Sequence, residues 1–338
     1  MFPPEFTERL SQTLGQIQAD HILASMTSPK AVGLWENPLR GDQAQNSARE
    51  PRLSVVQALC QAEAIEDVQR VSTALPGCYS VAGDYRERLM RSPLVSDGSV
   101  YPMNPSSLFA AKALGVQPGE EVLDLAAAPG GKSLVLAAAL SLNGESTGRL
   151  ALVEPIKARF HRLRANMQRC GVLQADYYQR DGRGVGAAVP ERFDRVLLDA
   201  PCSSEARFHS ADPTSTHHWS LHKVRDCARK QKSLLKSAFR ALKPGGTLVY
   251  STCSFSLEEN ERIVDSLLRR ESQAELVPIE VAQDMSARFF PAVTEVSRAE
   301  NARKAKTLNC AEARRVLPDH LWDGFFLAKI TKRKTKTL

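Results

Sequence analysis

Val122-Leu123-Asp124-Leu125-Ala126-Ala127-Ala128-Pro129-Gly130-Gly131-Lys132 passes from a short apolar run through a glycine turn into a segment rich in Leu and Ala. Val122 to Ala126 reads as a strand and Lys132 to Leu142 as a helix, so the stretch is a strand–loop–helix junction. Glycine at such a junction lets the backbone approach a ligand closely, and the helix start offers free N–H groups to a carboxylate. A phosphate loop is excluded: Gly131-Lys132-Ser133 has the right end, but a glycine is needed where Ala126 stands. The G-x-G-x-x-G of dinucleotide enzymes is also absent.

Outward from this junction the same alternation continues. Strands are predicted at Arg149 to Glu154, Phe193 to Asp199, Thr247 to Thr252 and Phe325 to Ile330, and helices at Pro155 to Cys170, Leu221 to Leu242 and Leu257 to Arg270. Val196, Leu197 and Leu198 follow one another, as in a strand buried on both faces. The pattern predicts an α/β fold, a parallel sheet with helices on both sides. Such sheets bind ligands at the carboxyl ends of their strands, where the strand order reverses. Glu154 ends the second strand and is placed to accept both hydroxyls of a ribose; Asp181 follows a third strand and is placed to hold an adenine amino group. Each acid alone also reads as a turn or capping residue. Their coincidence at successive strand ends favours S-adenosylmethionine as the ligand.

Two thiols also end strands, in Asp199-Ala200-Pro201-Cys202 and Ser251-Thr252-Cys253. Carbon 5 of a pyrimidine is too weak a nucleophile for methylation until a thiolate adds at carbon 6, which makes an enamine. Asp199 is placed to give a proton or hydrogen bond to the base's N3, where negative charge develops. A second thiol nearby would assist release of the product. The residues alone do not say which cysteine plays which part. Cys60, Cys78, Cys170, Cys227 and Cys310 read as small buried hydrophobes. Seven cysteines is an odd count without a C-x-x-C pair, so neither a disulfide framework nor a metal site is expected, and reduced thiols suit a cytoplasm or organelle matrix.

The 338 residues are 43% hydrophobic and 25% charged, ordinary values for a soluble globular chain, and the net charge of +7 favours a polyanionic partner. Met1 to Leu14 lacks the apolar core of a signal peptide, and no run is long and apolar enough to span a bilayer. Lys223, Arg225, Arg229, Lys230, Lys232, Lys236, Arg240 and Lys243 crowd one helical region; Lys157, Arg159, Arg162, Arg164 and Arg169 crowd another. Both read equally as solvated faces or as phosphate contacts. Trp35, Phe208, His217, His218 and Trp219 are candidates for stacking on unpaired bases, with core packing as the alternative. In the first hundred residues Leu10 to Leu23 predicts one amphipathic helix, Val32 to Arg40 a short strand, and Gly41 to Pro51 a loop. The expected organisation is an accessory α/β subdomain over 1–95, the ligand-binding domain over 96–332 and a frayed basic tail over 333–338, with fraying beginning from Lys329.

On these residues the chain resembles the Nop/Sun (RsmB/NOP) family of RNA 5-methylcytosine methyltransferases. The matching stretches are Asn104 to Ser107, Asp124 to Lys132, Asp199 to Ser203, Lys243-Pro244-Gly245-Gly246 through Cys253 to Glu258-Glu259-Asn260-Glu261, and Asp323 to Lys329. Together they span about Ser96 to Lys332. DNA cytosine methyltransferases rely on the Pro-Cys thiol alone, so the second motif favours RNA. The resemblance implies a Rossmann-like S-adenosylmethionine-dependent core behind a small RNA-recognition-like subdomain. It implies that Cys253 is the nucleophile and that Cys202 assists release. It implies cofactor contacts from Ala126, Ala127, Ala128, Pro129, Gly130, Gly131, Lys132, Glu154, Asp181 and Asp199, with Arg159 as a further one. The implied substrate is RNA, ribosomal RNA ahead of tRNA, acted on by a monomer with or without an assembly partner and without a membrane. Ala126 stands where many members have cysteine, and Glu154 where aspartate is frequent. Ser203 to Phe208 lacks the glycine-rich continuation of most bacterial members and is nearer to the ribosomal-RNA and tRNA enzymes of mitochondria. Two rival readings are a ribosome-assembly factor with dispensable catalysis and a small-molecule or protein methyltransferase; the second leaves the paired thiols unexplained.

Overall fold

Gly15 divides the first helical stretch. Its φ of +82° is open to glycine and strained for other residues, so the single helix expected over Leu10 to Leu23 is two, Pro4–Leu14 and Gln16–Ser25. The computed structural model describes residues 2–40, 54–142, 145–296 and 306–334, so the expected loop at Gly41 to Pro51 and the end of the basic tail lie outside the described residues.

Four short strands come next: β1 (Val32–Glu36), β2 (Gln69–Arg70), β3 (Cys78–Val81) and β4 (Val100–Pro102), antiparallel in the order β2-β3-β1-β4. The helix Val55–Ala62, started by a Ser54–Gln57 capping box, buries Val56, Leu59 and Cys60 against Val32, Leu34, Tyr79 and Val81. At Gly33 this small sheet presses on the segment that leads into the large one, for a Cβ there would lie 2.2 Å from the Met103 carbonyl oxygen. The two N-terminal helices pack elsewhere, Phe6 meeting Phe208 and Trp219 edge-on at 5.0 and 5.7 Å between ring centroids.

The large sheet begins with β5 (Glu121–Asp124), β6 (Arg149–Val153), β7 (Asp176–Tyr178), β8 (Phe193–Asp199) and β9 (Leu242–Thr252). These five run parallel in the order β7-β6-β5-β8-β9. Four antiparallel strands extend it: β10 (Ala274–Val277) and β12 (Arg314–Val316) pair with β13 (Phe325–Lys332), β11 (Phe289–Pro291) pairs with β12, and β13 lies against β9. The parallel sheet expected from the sequence is therefore the core of a mixed one. Alternation of period two sends Val122, Leu197, Val249 and Leu327 into one face, with Leu123, Val196, Leu198, Tyr250 and Phe326 in the other. Both faces are covered by helices, which is why these strands read as unbroken apolar runs.

Several boundaries differ from expectation: the strand expected from Thr247 begins at Leu242, the one over Val32 to Arg40 ends at Glu36, and the helix expected to Leu142 ends at Ala139. β13 continues to Lys332, whose ammonium donates to the Leu242 carbonyl at 3.0 Å and pairs with Glu191, so the chain is not frayed from Lys329. The helix expected from Leu257 begins at Glu261, because Ser254 to Asn260 serve a polar loop: Asn260 accepts from the Thr252 hydroxyl at 2.5 Å and donates to the Ser254 carbonyl at 2.8 Å. After β5 the chain moves outward through β6 and β7, then returns to the other side of β5 as β8. The crevice of this reversal opens at the carboxyl ends of β5 and β8. Among the described residues no helix is long and apolar enough to cross a membrane.

Candidate active site

Asp124 closes β5 and is buried; the Ser133 hydroxyl donates to it at 2.7 Å and ties the first turn of the helix Gly131–Ala139 back to the strand. Burial pushes this carboxyl up to about 6. Between them runs the loop Ala126 to Gly130. Gly130 sits at φ +113°, and a Cβ on Gly131 would come within 3.1 Å of Tyr101 and Met103. Arg159 donates to the Ala128 carbonyl at 2.8 Å and Asn166 to the Pro129 carbonyl at 2.9 Å, so the next helix holds the loop from outside. Glu154 follows β6 and is buried. It accepts from the Ile156 amide at 2.9 Å and lies 3.5 Å from Arg159. Asp181 follows β7, exposed, and is bound by the Arg183 amide at 2.9 Å and guanidinium at 2.5 Å, which hold its carboxyl below the usual range. Gly182 beside it leaves no room for a side chain, since a Cβ would lie 2.9 Å from Leu234 and 3.0 Å from the Leu125 carbonyl. A glycine-lined cradle, a helix start and two strand-end acids suit a nucleoside cofactor bearing a carboxylate. An adenine amino group at Asp181 would compete with Arg183.

Lys132, expected in the cofactor loop, turns to the other side of the crevice. Its ammonium donates to Asp199 at 2.8 Å and to the Ser107 hydroxyl at 3.0 Å, over the ring of Phe325. Asp199 ends β8 and also accepts from Ser251 of β9 at 2.9 Å. Because β8 and β9 are parallel neighbours in register, the loops that leave them emerge side by side. This brings together residues 51 apart in sequence: the Cys202 and Cys253 sulfurs stand 3.2 Å from each other, both reduced. The other five cysteines are buried and free.

The two thiols differ electrically. Cys253 accepts a hydrogen bond from Cys202 and faces the Arg207 guanidinium, and these hold it below the ordinary thiol range despite burial. Cys202 is pushed well above that range, first by the hydrogen bond it donates and then by burial. Of the two, Cys253 is thus the sulfur more readily ionised.

Sequence reasoning missed the frame around this pair. Glu205 is buried and accepts from the Trp219 indole at 2.8 Å, the Phe255 and Ser256 amides at 2.7 and 3.0 Å, and the Ser254 and Ser256 hydroxyls at 3.0 and 2.7 Å. Glu259, also buried, accepts from the Ser203 amide at 2.9 Å, the Ser203 hydroxyl and Gln231 at 2.8 Å, and its carboxyl lies 2.8 Å from the Ser254 hydroxyl oxygen. Glu259 falls in a stretch shared with the Nop/Sun family, but nothing in the sequence gives it a role. Of the candidate stacking aromatics, Trp35 and Phe208 are core residues and Trp219 packs on Phe6; only His217 and His218 are exposed. On the helix Leu221–Ala241, Lys223, Arg225, Arg229, Lys230, Lys232, Lys236 and Arg240 are exposed. Lys243 is instead paired with Asp194, and Arg169 donates to the Val95 carbonyl.

A family model described as 16S rRNA methyltransferase RsmB/F matches residues 111–331. Ribosomal RNA small subunit methyltransferase F of Erwinia tasmaniensis is 34% identical over 340 residues, covering 98% of this chain and 63% of the relative. The protein of the same name from Klebsiella pneumoniae is 44% identical over 186 residues, 54% of this chain and 38% of the relative. The chain thus spans 63% or less of the length of these curated relatives. Among solved structures, a methyltransferase homolog protein from Pyrococcus horikoshii aligns with a TM-score of 0.75 at 29% identity, over 98% of this chain and 95% of that one. Both curated relatives are bacterial, whereas the Ser203 to Phe208 run alone points towards mitochondrial enzymes.

Proposed function

The chain belongs to the 16S rRNA methyltransferase RsmB/F family, and from that premise we propose that it methylates carbon 5 of a cytosine in small-subunit ribosomal RNA. The observation that carries the reading is the pair of sulfurs 3.2 Å apart at the ends of neighbouring parallel strands, beside a cradle suited to a nucleoside. S-adenosylmethionine, when bound by the Ala126 to Gly131 loop, Glu154 and Asp181, supplies an electrophilic methyl group. Cys253, the sulfur more readily ionised, adds to carbon 6 of the cytosine. The electron pair of the C5–C6 double bond is then available at carbon 5. Negative charge spreads towards N3 and O2; Asp199, expected to donate there, instead accepts from Lys132 and Ser251, so the donor offered to that charge is the Lys132 ammonium. After methylation the carbon 5 proton passes to solvent, its electron pair re-forms the C5–C6 double bond, and the C6–S bond breaks with its pair on the Cys253 sulfur. Cys202 is the group nearest the departing sulfur and assists by restoring its hydrogen bond to the Cys253 thiolate. The base must be unpaired or flipped, since a stacked ring hides carbon 6. The exposed cations of the helix Leu221–Ala241, which also supplies Gln231 to the thiol frame, are suited to the phosphates around it. Reduced thiols suit a cytoplasmic setting.

The test is incubation with methyl-labelled S-adenosylmethionine and either free RNA or ribosomal subunits from cells lacking the gene. Label is expected as 5-methylcytidine in the 16S fraction. Cys253→Ala should abolish it, by at least a thousandfold in rate, and Cys202→Ala should accumulate a protein–RNA adduct visible on a denaturing gel. Absence of 5-methylcytidine with both substrates would overturn the assignment, and equal, adduct-free loss in the two variants would overturn the division of labour.

A further inference from the structure

We propose that Glu205 and Glu259 are positioning residues, a crossed pair of buried carboxylates that sets the distance between the two thiols. For its catalytic meaning this rests on the reaction just proposed. Glu205 lies three residues after Cys202, yet four of its five hydrogen bonds go to Ser254, Phe255 and Ser256, the residues directly after Cys253. Glu259 lies six residues after Cys253, yet it grips Ser203, the residue after Cys202. Gln231 bonds both Glu259 and the Pro201 carbonyl, at 2.8 and 3.0 Å, and closes that side. Each carboxylate is thus rooted in one loop and holds the other. Neither bonds a sulfur, so their effect on the thiols passes through the loops.

Ser254 joins the two carboxylates, 3.0 Å from Glu205 and 2.8 Å from Glu259. A hydroxyl has one hydrogen to donate. Both contacts are hydrogen bonds only when one glutamate carries a proton and donates it to the Ser254 oxygen. None of the hydrogen-bond partners of either glutamate is cationic, and two unbalanced charges buried side by side would be costly. The pair therefore holds one negative charge and one proton. Burial, and then the charge of Glu205, push the Glu259 carboxyl up to about 7, which places the proton there. The other titratable groups facing Glu259 are Cys202, Tyr250 on β9 and Cys227 on the helix Leu221–Ala241. A glutamine at 259 reproduces the protonated form: its oxygen accepts from the Ser203 amide and Gln231, and its NH2 donates to Ser254.

The spacing is measured without any methylation assay, by the rate at which diamide converts Cys202 and Cys253 to a disulfide, followed by mass spectrometry of the linked peptides. The two thiols lose two protons and two electrons, and the diazene takes them up to become a hydrazine. Wild-type protein and Glu259→Gln are expected to react within threefold of each other. Glu259→Ala and Ser254→Ala are expected to be at least tenfold slower, and on RNA to lose kcat in the same proportion with KM unchanged. Glu259→Ala reacting at the wild-type rate, or Glu259→Gln as slowly as Glu259→Ala, would overturn the proposal. Should Glu259→Ala fail to fold by circular dichroism, Ser254→Ala decides alone, a wild-type rate overturning the proposal. If the oxidation rates follow expectation while wild-type protein forms no 5-methylcytidine, the methyltransferase reading fails and the positioning role stands.

Discussion

Cys202 and Cys253 carry the same group and differ in what faces them. The Cys202 thiol and the Arg207 guanidinium hold Cys253 below the ordinary thiol range, a distinction no spacing in the sequence contains. That two thiols are candidates at all is legible, because Pro-Cys and Thr-Cys follow strands at the end of the sheet where such folds bind ligands. The glutamates behind them are not. Glu205 and Glu259 stand in polar runs that read as surface, and only the meeting of two loops about fifty residues apart buries them. Their burial has a measurable sign. Glu259 binds its proton more tightly in the folded protein than in the unfolded chain. The stability this contributes is full below about 4.5 and is lost as pH rises through about 7. The Tm of wild-type protein should therefore fall relative to that of Glu259→Gln between pH 5 and 8 in differential scanning fluorimetry, and the gap should stop widening above that range. Asp124, raised to about 6, contributes with the same sign to both proteins and cancels from the comparison.

The β5 loop gains its shape from Gly130, at φ +113° with the Leu163 methyl 3.1 Å from where a Cβ would be. Gly130→Ala is expected to cost about 1–2 kcal/mol of stability from backbone strain. It should also weaken binding of S-adenosylhomocysteine about tenfold in calorimetry and leave RNA affinity unchanged; unaltered cofactor-product affinity would show that the loop tolerates the change. The strands of the core are legible because their burial on both faces leaves continuous apolar runs, as in Val196-Leu197-Leu198. The break near the start is not legible, because the amphipathic pattern runs through Gly15, whose backbone angle ends the helix whatever the pattern. The delayed start of the helix Glu261–Leu268 has another cause. Leu257 continues the apolar periodicity, but Asn260, bonded to Thr252 and Ser254 in the thiol loop, has φ -115° and ψ -100°, outside the helical region, and the helix starts after it.

The charge of +7 is unevenly spread, and the helix Leu221–Ala241 bears an exposed basic face. Arg225, Lys232, Lys236 and Arg240 share one side of it. Reversing these four to glutamate should weaken RNA binding by at least tenfold at moderate salt and flatten the dependence of log Kd on log salt. The Tm and the binding of S-adenosylhomocysteine should not change, and an unaltered salt slope would place the RNA on another surface. A different consequence lies in the order of assembly. β13 covers the outer edge of β9 from Thr247 opposite Thr331 to Thr252 opposite Phe326, immediately before Cys253. A nascent chain emerging from the ribosome reaches both thiols long before it reaches Phe325. During that interval β9 is an open edge offering unpaired backbone groups to any passing strand. Closure of that edge thus waits on a strand made about seventy residues after Cys253, and a message broken upstream of residue 325 leaves β9 as a sticky, unpaired edge.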